Sequence, residues 1–256
     1  MGVLALLATA LYLSDYFTAE QQRLAAAGDL QGAMEASHKA VRLDPFDTDA
    51  LEARAFLLQQ QRQYEEAANS LEEAIRRDPN NYMPHLMLAN LQLTQLDDLD
   101  GAVESYREVL RLNPQSSGAS SSLAQALVRK GDLEAAKQEY EKLEEEENIS
   151  TQGLFDLGRI YVRTGEPEKG LQAIKRAKRK AEAALEEMEG PLKERQQQAI
   201  VSMNLAIADA LVVAGRYEEA REVISASSSS QAPALLQLLD SDPEAYRESV
   251  VDSDIY

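Results

Sequence analysis

Residues 48–81 read TDALEARAFLLQQQRQYEEAANSLEEAIRRDPNN, and the pattern of this stretch decides the fold. Leu51, Ala55 and Leu58 fall on one face of a first helix, and Tyr64, Ala67, Leu71 and Ala74 on one face of a second. Pro79 stops the second helix, because proline biases the residue before it toward extended geometry. The same punctuation recurs: Asp44-Pro45, Asp78-Pro79 and Asn113-Pro114 stand 34 and then 35 residues apart. Twelve residues before these prolines stand Ala33, Ala67 and Ala102, and five before them Ala40, Ala74 and Val109. Small residues repeated in register mark places where two helices approach closely. The fold class is therefore all-α, an array of helical hairpins that bury their apolar stripes by stacking on one another.

Working outward, about six units follow. They are residues 14–47, 48–81, 82–116, 117–150, 151–190 and 191–226. Gly28 occupies the turn of the first, and Pro45 closes it. The third has one residue more than its neighbours, placed in the turn around Leu96 to Asp100, and in the fourth Glu144 to Glu147 stand where the closing proline would be. The fifth is expected to have a long second helix, since nothing breaks it before Gly190-Pro191, and the sixth a first helix that starts early, near Pro191. From Ser225 a polar, serine-rich run ends the period. Residues 227–256 then read as a short apolar helix candidate, Pro233 to Leu239, and an acidic tail expected to be loosely held.

Composition narrows the function classes. Lys+Arg 26 against Asp+Glu 44 gives a formal charge of -18, so phosphate would be repelled, and nucleic acid is not an expected partner. The absence of cysteine removes disulfides, thiolate metal sites and cysteine nucleophiles. His38 and His85 lie at unrelated register positions and make no helical metal pair. No phosphate loop, nucleophile elbow or catalytic base pair stands out. Catalysis, cofactor, metal and small-molecule substrate are all outside the expectation. The basic run Lys175, Arg176, Lys178, Arg179 and Lys180 reads as a solvated helix face balanced by Glu182, Glu186 and Glu187.

Val3 to Leu13 carries no charge, and Tyr12, Tyr16 and Phe17 cluster at its end beside Asp15. A spanning helix needs about 20 apolar residues, whereas Gly2 to Phe17 would cover roughly 24 Å. Three readings fit: the end of a transmembrane helix that begins outside this sequence, a complete short anchor, or an apolar helix packed on the first repeat through Leu4, Leu7 and Leu11. The first two are preferred. Residues 1–17 are thus expected to be a partial or short membrane anchor for an otherwise cytoplasmic chain.

The register residues resemble the tetratricopeptide repeat family. Leu157-Gly158, Tyr161 and Gly165 carry the likeness most clearly, together with Leu123-Ala124, Gly131, Ala136 and Tyr140, and it extends over about residues 14–226. The chain departs from the family in having no tryptophan at the fourth position of its repeats, where Leu51, His85, Ser120, Leu154 and Asn204 stand. The resemblance implies a right-handed superhelical solenoid whose first helices line a concave groove, and a non-catalytic scaffold or adaptor that binds a partner peptide or helix there. By the same resemblance the groove positions are Glu52, Phe56 and Gln59, then Leu86, Asn90 and Leu93, then Gln125 and Val128, then Phe155, Arg159 and Val162. A clamp for a partner's terminal carboxylate is not expected, since Thr18, Glu52, Leu86, Ser121 and Phe155 replace the lysine it needs. The chain also resembles the repeat tail of a larger bacterial membrane protein. The alternative function is a regulatory or accessory domain of a membrane enzyme acting on polysaccharide or peptide.

Overall fold

A computed structural model describes residues 2–44, 48–253 and 255, with side chains from Ala8 onward. The described residues form fourteen α-helices and one π turn, with no strand. In chain order these are α1 Gly2–Ala26, α2 Leu30–Leu43, α3 Asp49–Gln60, α4 Tyr64–Arg77, α5 Tyr82–Leu91 with the π turn Gln92–Leu96, α6 Leu99–Leu112, and α7 Ser117–Lys130. There follow α8 Leu133–Glu145, α9 Thr151–Arg163, α10 Pro167–Leu185, α11 Gly190–Val213, α12 Tyr217–Ser225, α13 Ala232–Ser241 and α14 Pro243–Asp252. They fall into two compact units, Met1–Ser122 and Leu123–Tyr256.

One device turns each of six helix pairs. Gly28, Arg62, Asp97, Gly131, Gly165 and Gly215 all have positive φ, the left-handed geometry that ends a helix. The next residue's N–H reaches back to the carbonyl five positions earlier: Asp29 to Leu24, Gln63 to Leu58, Asp132 to Leu127, Glu166 to Tyr161 and Arg216 to Leu211, at 2.8 to 2.9 Å. The third hairpin alone reaches six positions, from Asp98 N–H to the Gln92 carbonyl at 3.0 Å. Its additional residue is therefore absorbed in the π turn Gln92–Leu96, one helical turn ahead of the Leu96–Asp100 placement, because a π turn takes in one residue without breaking the helix. Aspartates then cap the second helices: Asp29 accepts from Gly32 N–H, Asp98 from Gly101 and Asp132 from Ala135.

In the first unit, α1 pairs with α2, and the buried Ser14 hydroxyl donates to the Ala40 carbonyl at 3.1 Å. The segment expected to be a partial or short anchor, residues 1–17, is from Gly2 onward continuous with this hairpin. The apolar run ends at Leu13, but α1 continues through Asp15, Glu20 and Arg23 as the first helix of a hairpin. No helix among the described residues is long and apolar enough to cross a membrane. Leu11 is exposed. Pro45 and Asp47, which end the first repeat in sequence, and the side chains of Leu4 and Leu7 lie outside the described residues. A core of Ala55, Leu58, Ala67, Ala68, Leu71, Leu88 and Leu91 joins α3, α4 and α5, with Met34 of α2 against it.

In the second unit, α9 and α10 meet at Gly158 and Gly170. A Cβ placed on Gly170 would lie 2.6 Å from the Gly158 carbonyl oxygen, so glycine sets how near these helices come. The insertion before residue 201 becomes the longer pair α10 and α11, which pack together. Within the basic run, Arg176 pairs with Glu144 of α8, and Lys178 with Glu182 at 3.5 Å. α13 forms over the helix candidate Pro233 to Leu239, and the expectation of a loosely held acidic tail is overturned by α14. α13 packs on α12, while α14 packs on α13, α11 and α9. Burial of Tyr246 and Val250 on one face of α14, and of Ile255 just beyond it, is the reason: apolar residues one helical turn apart give an acidic segment a face worth burying.

Candidate functional site

The first unit presents α1, α3 and α5 as its first helices. Of the positions implied for the groove, Phe56 is the large apolar side chain left open, 53% exposed, while Gln59 and Glu52 are half-buried. Glu52 accepts from the Asn81 amide at 3.3 Å. Leu86 is half-buried and Leu93 buried. Asn90 is exposed, yet its side-chain oxygen takes the Tyr106 hydroxyl at 2.6 Å, so it ties α5 to α6. Burial raises the pKa of Tyr106, partly offset by its hydrogen bond with Ser122.

Two clefts border Phe56. One, about 450 Å³, lies between α1 and α3, lined by Ala25, Ala26, Leu30, Ala53 and Leu57, with Gln21, Gln22 and Gln60 around them. The other, about 420 Å³, runs past Gln59, Arg62 and Tyr64 to Thr94 and Gln95 in the π turn. The α1 residues of the first cleft were not anticipated from sequence. Phe56 followed by Gln59 and Gln60 was the available signal, an aromatic with amides one turn on.

In the second unit, Gln125 is half-buried and Val128 buried. Val162, expected in the groove, is instead 2% exposed and faces α10, since a Cβ on Gly170 would lie 2.6 Å from its Cγ2. Phe155 is buried, and the Arg159 guanidinium sits 5.5 Å from its ring centre. Arg163, unmarked in the sequence reading, continues this i, i+4 row and donates to the Ser253 carbonyl at 2.9 Å and hydroxyl at 2.8 Å. The Tyr246 hydroxyl donates to Asp209 of α11 at 2.9 Å. This face of α9 and α11 is therefore covered by α14.

Burial raises the pKa of Asp209, against the lowering effect of the Tyr246 hydroxyl and of Arg163 and Arg159. The folded chain thus holds this proton more tightly than the unfolded chain. Stability from that source is present at acid pH and is lost as pH rises through the folded value. Asp209→Asn keeps an acceptor for Tyr246 and removes the cost of ionisation. Thermal melts should show the variant more stable than the unaltered chain at about pH 7, with the gap closing toward about pH 4. A gap independent of pH would rule the explanation out. Among the described residues, no group of three or more His, Cys, Asp or Glu is placed to hold a metal ion.

A tetratricopeptide repeat family model matches residues 53–117 and 121–184, and a second matches residues 93–148. No curated protein matches the chain in sequence. Among solved structures, a tetratricopeptide repeat protein from Parabacteroides merdae is 16% identical, with 96% of this chain and 94% of that one covered and a TM-score of 0.61. MamA is 20% identical, with 64% and 95% covered and a TM-score of 0.58. YrrB, described as a TPR protein with an unusual peptide-binding site, is 20% identical, with 63% and 82% covered and a TM-score of 0.55. At such identities the likeness is one of fold. With hairpins, turns and matched segments spanning just over half its length, the chain belongs to the tetratricopeptide repeat family.

Proposed function

We propose that the chain is a protein-interaction scaffold that holds a partner's peptide or helix on the first-helix face of its first unit. The observation that carries this reading is Phe56, an aromatic ring 53% exposed and bordered by two clefts. A rigid aromatic beside concave apolar surface is the usual composition of a binding hot spot. Ala25, Ala26, Ala53 and Leu57 offer a seat for an apolar side chain, and Gln21, Gln22 and Gln60 offer amide groups to a peptide backbone or polar rim. YrrB, whose description names a peptide-binding site, supports the reading by analogy. No chemical step is required.

The test begins with helical and extended peptides selected by display against the full chain. Phe56→Glu should weaken the selected peptides about 10-fold or more. Leu192→Glu, at an apolar residue of α11 that is 65% exposed, should leave them unchanged. Equal losses in the two variants, or no loss with Phe56→Glu, would reject this surface. Because Phe56 is exposed, its substitution should shift stability by no more than about 0.5 kcal/mol.

A further inference from the structure

The last helix departs from the plan of the array. α13 packs on α12, as the next helix of a stack does, but α14 turns back and lies against α9 and α11, the first helices of two successive hairpins. A single residue makes that turn: Asp242 ends α13 and caps α14, its carboxylate accepting from Ala245 N–H at 3.0 Å. Tyr246, Val250 and Ile255 are buried, whereas Arg247, Glu248, Val251 and Asp252 are exposed. The helix is thus an amphipathic segment seated on the face where this family's groove was expected.

The seat is chemically specific. Asp209 of α11 receives the Tyr246 hydroxyl at the head of the helix. At its end, Arg163 of α9 binds the carbonyl and hydroxyl of Ser253, a cation placed where the carbonyls and dipole of a helix C-terminus favour one. The acidic residues of α14 lie away from the seat: Glu248 and Asp252 are exposed, and Glu244 accepts from the Tyr217 hydroxyl of α12 at 2.8 Å.

We propose that the first-helix face of the second unit is a docking site for a short acidic amphipathic helix, and that α14 is its resident occupant, displaced when a partner presents a segment of the same chemistry. The partner segment has a buried tyrosine, aliphatic residues four and nine positions later, and acidic residues outward. This site is distinct from the Phe56 surface and does not depend on it. A tethered occupant competes at an effective concentration on the order of millimolar, so a free segment binds well only once α14 is loosened or outmatched.

The experiment uses the full chain and, as probe, a fluorescein-labelled peptide of residues 242–256. Tyr246→Ala in the chain loosens the tethered copy while leaving the probe intact. The probe should bind the Tyr246→Ala chain at least about 10-fold more tightly than the unaltered chain. Adding Arg163→Ala should abolish that gain, whereas adding Phe56→Glu should not. Hydrogen exchange on the same samples should show α14 amides opened by Tyr246→Ala with α9 and α11 still protected. Equal binding to both chains with α14 opened would overturn the proposal, as would a gain that Arg163→Ala leaves untouched. If Tyr246→Ala prevents folding, Val250→Ala, a smaller change on the same buried face, takes its place under the same criteria.

Discussion

Gly170→Ala is expected to destabilise the second unit by about 2 to 3 kcal/mol, although alanine is the better helix former by about 1 kcal/mol. Two effects oppose each other here, and the distances decide between them. Gly170 lies in α10, where a methyl group would lower the conformational freedom of the unfolded chain and favour the helix. It would also lie 2.6 Å from the Gly158 carbonyl oxygen, 2.6 Å from Val162 Cγ2 and 3.1 Å from Val162 N. Two of these three are backbone atoms of α9, which move only if the whole helix moves. The alternative to strain is separation of α9 from α10, which uncovers Ile174 and Ala177 in a core where both are fully buried. Gly158→Ala should behave alike, since its Cβ would meet Ile174 Cγ1 at 2.6 Å and Ile174 N at 3.0 Å. Gly118→Ala in α7 is the control: nothing lies within 4 Å of the added carbon, so stability should hold or rise by up to about 1 kcal/mol. Urea unfolding followed by circular dichroism gives the comparison. Stabilisation by Gly170→Ala would show that the helices separate at little cost.

The second large effect is expected from Leu71→Ala, a loss of about 3 to 4 kcal/mol in the first unit. Leu71 is wholly buried, in a core built from α3, α4 and α5 with Met34, Tyr64 and Ile75 around it. Its removal sacrifices the transfer free energy of the missing methyl groups and leaves a cavity whose walls are held by three helices. Few movements can close such a void without pulling another hairpin out of register. Repeats are stable only through their neighbours, so damage at this joint weakens the hairpins on both sides. Equilibrium unfolding of the variant should show the loss as a lower midpoint. A change below about 1 kcal/mol would mean that the core relaxes to fill the space.

Most of the local structure was legible in the chain. The turns were marked by Gly28, Gly131, Gly165 and Gly215, since glycine takes positive φ at little cost. Arg62 and Asp97 do the same work without that mark, and only the spacing located them. The candidate sites were less legible. Phe56, a groove position by resemblance, is 53% exposed, whereas Val162, one turn from Gly158, is drawn against α10 by the same glycine contact that joins the two helices. Asn90 keeps an exposed position and spends its side-chain oxygen on Tyr106. A side chain's place along its own helix does not reveal which neighbouring helix reaches it first.

The two ends of the chain make the same point. From composition, the start looked suited to lipid and the tail to solvent. α1 also serves as the first helix of a hairpin, tied by Ser14 to Ala40, and α14, within the tail, folds back through Tyr246 to Asp209. By itself the sequence determined the hairpins, their period and their turns, because helix periodicity, left-handed turn residues and capping act within a few residues of one another. Only the tertiary structure decided which faces stay open and that the chain's own last helix covers one of them. Those outcomes depend on contacts between residues such as Arg163 and Ser253, 90 positions apart, where burial and hydrogen bonding are settled by the assembled neighbours rather than by local pattern.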